Sequence, residues 1–290
     1  MKNAINTAVT QTRLSTIWLQ VLALLSVALI LPIDVARADG NVNNIAVIQT
    51  DATILQPGEP FDLNGKTVVF TPKGGGGYTA TVTTVQFDTN QGTSLGLLDD
   101  DSIEQTLLFN FPFFGSGKNR VFINSNGNLT FGSSDPSVSH FNQIYGGGRV
   151  SALFTSPGDA STVLDDFALS LPRIAPLWQD LNPGAGGAVN LRSAADRLVV
   201  TWNSVPLFGT TTIVTFQVIL FSNGVIQFNY QSVGSTPGGG YLVGISPGDL
   251  SFGSFAVTTV DFSQGGETIS NDPEDEALAQ VFGTTTAPLV

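Results

Sequence analysis

Apolar residues recur at every second position through the middle of the chain: Leu198, Val200 and Trp202, then Val214, Phe216, Val218 and Leu220. Successive side chains of an extended chain point to opposite sides, so a period of two marks strands that bury one face. The same alternation predicts strands over residues 45–55, 67–71, 78–87, 103–111, 120–124 and 128–132. It continues over 174–178, 188–192, 197–203, 212–221, 225–230, 241–245 and 257–262. Asn126-Gly127 and Asn223-Gly224 each separate two such runs, and Asn-Gly accepts the positive φ that a tight hairpin needs. The expected fold is all-β, an antiparallel β-sandwich with Trp178, Trp202, Phe216 and Phe228 in its core.

Three stretches depart from the pattern. Residues 135–171 read as an insertion, with helical spacing over 159–169 and a structureless glycine run at Gly146-Gly147-Gly148. Long insertions between strands carry binding surfaces or are plain surface excursions, and both readings stay open. The glycines of 74–77 fit a long hairpin loop inside one domain, because the strand patterns on either side are alike. From 265 to 290 the chain turns acidic and polar, which reads as a loosely attached tail with a short helical stretch at 274–282.

The N-terminus has a different character. Lys2 and Arg13 precede an apolar run over 17–33, and Ala36-Arg37-Ala38 supplies the small residues that a signal peptidase reads. Residues 1–38 are therefore expected to be a signal peptide cleaved after Ala38, leaving a sandwich over 39–264. An uncleaved membrane anchor is the alternative, since the run is near the lower limit for a span.

Composition narrows the function classes. The 290 residues are 42% hydrophobic and only 12% charged, with 32 glycines and 15 prolines, which suits a strand-and-turn protein with a real core. Removing Lys2, Arg13, Arg37 and Asp34 with the signal leaves 8 basic and 22 acidic residues, a net charge of −14. Such a chain repels phosphate backbones and anionic lipid, so nucleic acid is not an expected partner, nor is a membrane beyond export. The absence of cysteine rules out thiol nucleophiles and thiolate metal sites. Export without cysteine also suits a bacterial chain better than an animal extracellular module, and a periplasmic location stays open.

The motifs that invite a catalytic reading fail on their own chemistry. G-x-S-x-G occurs at residues 92–96 and 244–248, but Pro247 has no N–H to donate to an oxyanion and neither copy leads into a recognisable helix. Gly115-Ser116-Gly117-Lys118 has Phe113 near the position of the required glycine and Asn119 where a magnesium-binding hydroxyl belongs, so it reads as a turn. His140 is the only histidine and cannot assemble an imidazole site alone. Asn128-Leu129-Thr130 fits a glycosylation sequon, without meaning in a bacterial chain. Carboxylates remain. Asp99, Asp100 and Asp101 precede a strand, Asp165-Asp166 lies in the insertion, and Asp180 sits with Asn182 in a turn beside Trp178. Asp99, Asp100, Asp101 and Asp180 are the candidate Ca²⁺ ligands, set against the ordinary role of acidic runs as solvated surface. No other cofactor and no catalytic residue is expected.

Four ordered elements then give a family likeness. Residues 173–178 with Asp180 (RIAPLW, then D), Val200-Thr201-Trp202 with Val205, Thr215-Phe216-Gln217-Val218 with Leu220, and Phe228 with Tyr230 resemble the nidogen-like extracellular domain. The upstream run 111–132 is similar to the lead-in of bacterial secreted proteins that carry this module, and the resemblance spans about residues 107–249. It implies a β-rich module of matrix and cell-surface adhesion proteins, secreted or surface-held, with no catalytic residues to carry over. The family's acidic A-x-x-F segments, like 277–282 here, often lead into a further domain. The expected function is a non-catalytic binding or adhesion module for an extracellular protein or glycan. The alternative is a secreted enzyme, or an accessory domain of one, with a carboxylate-based site.

Overall fold

The computed structural model describes residues 40–42, 45–47, 60–74, 77–136, 167, 170–234, 240–248, 256–259, 262–263 and 276–282. The strands, in chain order, are β1 (Gly40–Val42), β2 (Ile45–Val47), β3 (Lys66–Pro72), β4 (Tyr78–Thr84), β5 (Thr93–Ser94), β6 (Ser102–Phe113), β7 (Ser116–Asn124) and β8 (Asn128–Thr130). They continue as β9 (Arg173–Trp178), β10 (Ala188–Ser193), β11 (Arg197–Pro206), β12 (Ile213–Phe221), β13 (Ile226–Val233), β14 (Tyr241–Ser246), β15 (Ala256–Thr259) and β16 (Glu276–Phe282). Among the described residues these form a nine-stranded sheet, β1-β2-β15-β16-β14-β9-β8-β7-β6, and a seven-stranded sheet, β4-β3-β13-β12-β11-β10-β5. Pairing is antiparallel except where β15 lies parallel to β16 and to β2.

The two sheets share one apolar core. Val121, Ile123, Leu129, Ile174 and Val243 of the larger sheet meet Phe70, Val200, Trp202, Phe216 and Phe228 of the smaller, all fully buried. Trp202 and Phe216 are direct partners across β11 and β12, and their rings stack at 4.9 Å with a 10° tilt. Phe228 meets Phe70 edge-on at 4.9 Å. Each such ring contributes about 3 kcal/mol by leaving water, which makes this layer the main source of stability. The all-β sandwich follows from the alternation read in the sequence.

Both Asn-Gly hairpins form, each with a three-residue loop. Asn124 pairs with Asn128 around Ser125-Asn126-Gly127, and Phe221 bonds Val225 around Ser222-Asn223-Gly224. Only the glycines take positive φ, at 74° and 89°, the pattern of a turn closed by a glycine bulge. A third hairpin turns on Phe114-Gly115, both at positive φ, so Ser116, Gly117 and Lys118 of the supposed turn already belong to β7.

Two expectations are corrected. The segment 274–282 is not a helical stretch of a loose tail: Glu276–Phe282 is β16, an interior strand between β15 and β14. Its helix-forming Glu, Ala, Leu and Gln are overridden by packing, since Leu278 and Phe282 enter the core. Gly244 permits this, because a Cβ there would stand 2.2 Å from the Leu278 carbonyl oxygen. Trp178 is buried but is absent from the inter-sheet core; the Arg173 guanidinium lies 4.0 Å from its ring centre and Phe167 packs at 6.5 Å. The helical spacing at 159–169, apart from residue 167, and His140 and Asp165-Asp166 lie outside the described residues.

Candidate functional site

The loop before β6, the β7–β8 turn, the segment after β9 and the β11–β12 loop converge at one end of the sandwich; Asn126 joins the first three, and the Leu181–Leu207 bridge adds the fourth. Its side chain is fully buried. Nδ2 donates to Asp100 Oδ1 at 2.7 Å and to the Pro136 carbonyl, while Oδ1 accepts from the Leu181 N–H at 2.7 Å. Its backbone carbonyl accepts from the Gln179 N–H at 3.3 Å. A Cβ on Gly127 would lie 1.9 Å from the Leu177 carbonyl oxygen, so glycine is what lets the turn seat against β9. Below the turn, Trp202 Nε1 donates to the Ser125 carbonyl at 2.9 Å, tying this end to the core.

This frame brings three of the four predicted carboxylates together. Ligand atoms of Asp99, Asp100 and Asp180 lie within 4.8 Å of one another, with Asp99 and Asp100 exposed and Asp180 half-buried. Asp100 takes positive φ, 48°, beside the Asn126 amide that holds it. Partial burial, and next the neighbouring Asp100 charge, raise the Asp99 pKa above its usual value. Asp101 is not in the group. Its carboxylate accepts from the Ser102 N–H at 2.9 Å and the Leu98 N–H at 3.3 Å, holding its own loop in shape. Asn182 likewise turns inward, accepting from the Ala185 N–H at 3.0 Å to cap the short 3-10 turn Pro183–Ala185.

Two large apolar side chains flank the carboxylates in the open. Leu98 is 62% exposed and precedes Asp99; Phe208 is 52% exposed, and its N–H donates to the Asp180 carbonyl at 2.9 Å. The root of the insertion adjoins this end. Arg173, fully buried, pairs with the Asp135 carboxylate and donates to Asn128 Oδ1 at 2.6 Å. The Phe131 N–H donates to the Pro172 carbonyl at 3.0 Å, so both ends of the excursion are pinned beside the Asn126 turn.

The remaining motifs are accounted for locally. Ser246 is buried in β14 and accepts from the Gly248 N–H; Ser94 lies in the edge strand β5 and accepts from the Gly96 N–H. Among the described residues no helix directly follows either serine. The Asn128 sequon is buried, its amide oxygen shared by Asn124 and Arg173, so the folded chain offers no free amide there. The roles of Asn126 and Arg173 escape the sequence reading: Asn126 reads only as a turn residue, and Arg173 only as part of a family element. A polar residue directly after a strong β-alternation, repeated as Asn124, Asn126 and Asn128, is the one signal that marks a buried amide cluster.

A family model described as NIDO related matches residues 77–282, well over half of the chain and from β4 through β16. No curated protein and no solved structure matches.

Proposed function

The chain belongs to the NIDO-related family, an extracellular module, and from that premise we propose that it is a secreted or cell-surface, non-catalytic binding module whose contact surface is the Asn126 end. The observation that carries this reading is the pairing of exposed Leu98 and Phe208 with the Asp99, Asp100 and Asp180 carboxylates on one framework. Exposed aromatic and aliphatic groups beside fixed polar groups are the usual composition of a recognition surface. The partner class is an extracellular protein or glycan, with adhesion as the biological outcome. No helix among the described residues is long and apolar enough to cross a membrane. Mass spectrometry of exported protein should give Asp39 as the first residue; a retained leader would contradict cleavage. For the contact surface, the Leu98→Ser/Phe208→Ser protein should lose binding to an immobilised glycan panel and to immobilised extracellular matrix proteins, at unchanged melting temperature.

A second reading is favoured by the carboxylate geometry alone: a calcium-dependent site at Asp99, Asp100 and Asp180, in a binding module or in a secreted enzyme. Calcium takes six to eight oxygens, of which these carboxylates supply part and loop carbonyls and water the rest. Calcium titration followed by thermal melting separates the readings. A concentration-dependent rise that Asp180→Asn abolishes supports the metal, and an unchanged melt removes it.

A further inference from the structure

Between β4 and β5 the chain crosses the outer face of the seven-stranded sheet. These strands are its two edges, and residues 85–92 run between them. The polar side chains on that face are buried: Thr67, Thr201, Gln217 and Asn229 fully, Gln227 nearly so. They meet the main chain of the crossing strap. Thr67 Oγ1 accepts from the Gln86 N–H at 2.8 Å, and Gln227 donates to the Gln86 carbonyl at 3.4 Å. The Gln217 amide takes both main-chain groups of Asp88, accepting from its N–H at 3.0 Å and donating to its carbonyl at 3.1 Å. Arg192 donates to the Asn90 carbonyl at 2.9 Å and pairs with the Asp88 carboxylate.

Beneath the strap the amides fix one another. Gln217 donates to Thr201, Asn229 to Gln217, and Asn229 Oδ1 accepts from both Gln227 and Thr67. The receiving face is therefore held in orientation by its own network, not only by the strap. The contacts fall on residues 86, 88 and 90, the period of an extended chain. They touch main-chain groups and one carboxylate, and Asn190 Nδ2 adds a bond to the Gln91 side-chain oxygen at 2.9 Å, so the face specifies an extended backbone carrying an acidic side chain. Val85, Gln86, Thr89 and Asn90 are exposed, and segments with so little apolar burial open at low free-energy cost.

We propose that this amide-lined face is a recognition groove for an extended acidic polypeptide segment, held shut by the strap in cis. The groove is distinct from the carboxylate end and does not depend on it.

The probe is the strap's own sequence as a labelled synthetic peptide of residues 84–92, read by fluorescence anisotropy. The receptor is the full chain with residues 85–91 replaced by a Gly/Ser linker of equal length. Saturable binding is expected to this variant and none to the intact protein. Adding Arg192→Ala, or changing the peptide's Asp88 to Asn, should weaken binding about tenfold, the loss expected from one charge-assisted contact. A folded variant that binds no peptide, or one whose binding ignores Arg192, would overturn the proposal. So would a variant that does not fold, because the groove must stand without its strap. In the intact protein, the Gln86 and Asp88 amides should exchange hydrogen faster than the interior amides of β12 and β13. Equal protection would overturn the proposal independently.

Discussion

The two Asn-Gly turns share sequence, loop length and glycine conformation, yet they do different work at opposite ends of the sandwich. Asn223 is exposed, and its Oδ1 accepts only a local bond from the Val225 N–H at 3.2 Å. Asn126 is buried, and its amide holds Asp100, Leu181 and Pro136 in three separate segments. Local chemistry makes both hairpins; the neighbours decide which one becomes a framework. At the Asn126 end the turn seats against β9 and carries the carboxylates and the exposed Leu98 and Phe208. At the Asn223 end Gly224 faces Pro112 beside the plain β6–β7 turn.

The sharpest way to break this comparison is to add one methyl to each glycine. Gly127→Ala forces positive φ on alanine and drives its Cβ to 1.9 Å from a backbone carbonyl, which should cost about 4 kcal/mol in denaturant melts. Gly224→Ala meets the Pro112 ring at 2.9 Å and shares the φ strain, for about 2 kcal/mol. Equal costs would mean that the turns are equivalent after all.

Truncating the asparagines should separate the ends further. Asn126→Ala leaves the buried Leu181 N–H without its partner and frees the Asp100 loop, at a cost of about 3 kcal/mol. Asn223→Ala removes one exposed local bond and should stay within about 0.5 kcal/mol. The same urea series measures both.

The smallest effect concerns Asp99. A carboxyl whose folded pKa lies above its unfolded value binds its proton more tightly when folded. Asp99 therefore detracts from stability at pH values above its folded pKa, and the penalty fades as pH falls through it. Because the group is exposed, Asp99→Asn should stabilise by no more than a few tenths of a kcal/mol near neutrality, and the gain should vanish in acid. No matching change is expected from substitutions at the Asn223 end.

The same contrast explains what was legible in the sequence. Strands of the seven-stranded sheet announce themselves because Trp202, Phe216 and Phe228 all point into one core and alternate with polar residues. Trp178 misleads because β9 is buried on both faces, so its outward positions are as apolar as its inward ones. β16 misleads because its propensities are helical while the strands it pairs with, β14 and β15, lie well upstream in the sequence. At the site, Asp99, Asp100 and Asp180 could be named as candidates from residue type. That Asp101 turns inward, and that Asn126 does the gathering, depends on contacts between segments that no local pattern encodes. The strand expected over 78–87 ends at Thr84, so its last three residues, 85–87, belong to the strap, which stays extended without pairing in the sheet edge.

Surface binding at matched stability tests the central claim most directly. The exported protein, its Leu98→Ser/Phe208→Ser variant and its Asn223→Ala variant should be compared on the immobilised glycan and matrix-protein panel. Loss of binding in the first variant only, with all three melting alike, is the predicted result. Binding retained by the Leu98/Phe208 variant, or lost equally by the Asn223 variant, would contradict assignment of the contact surface to the Asn126 end.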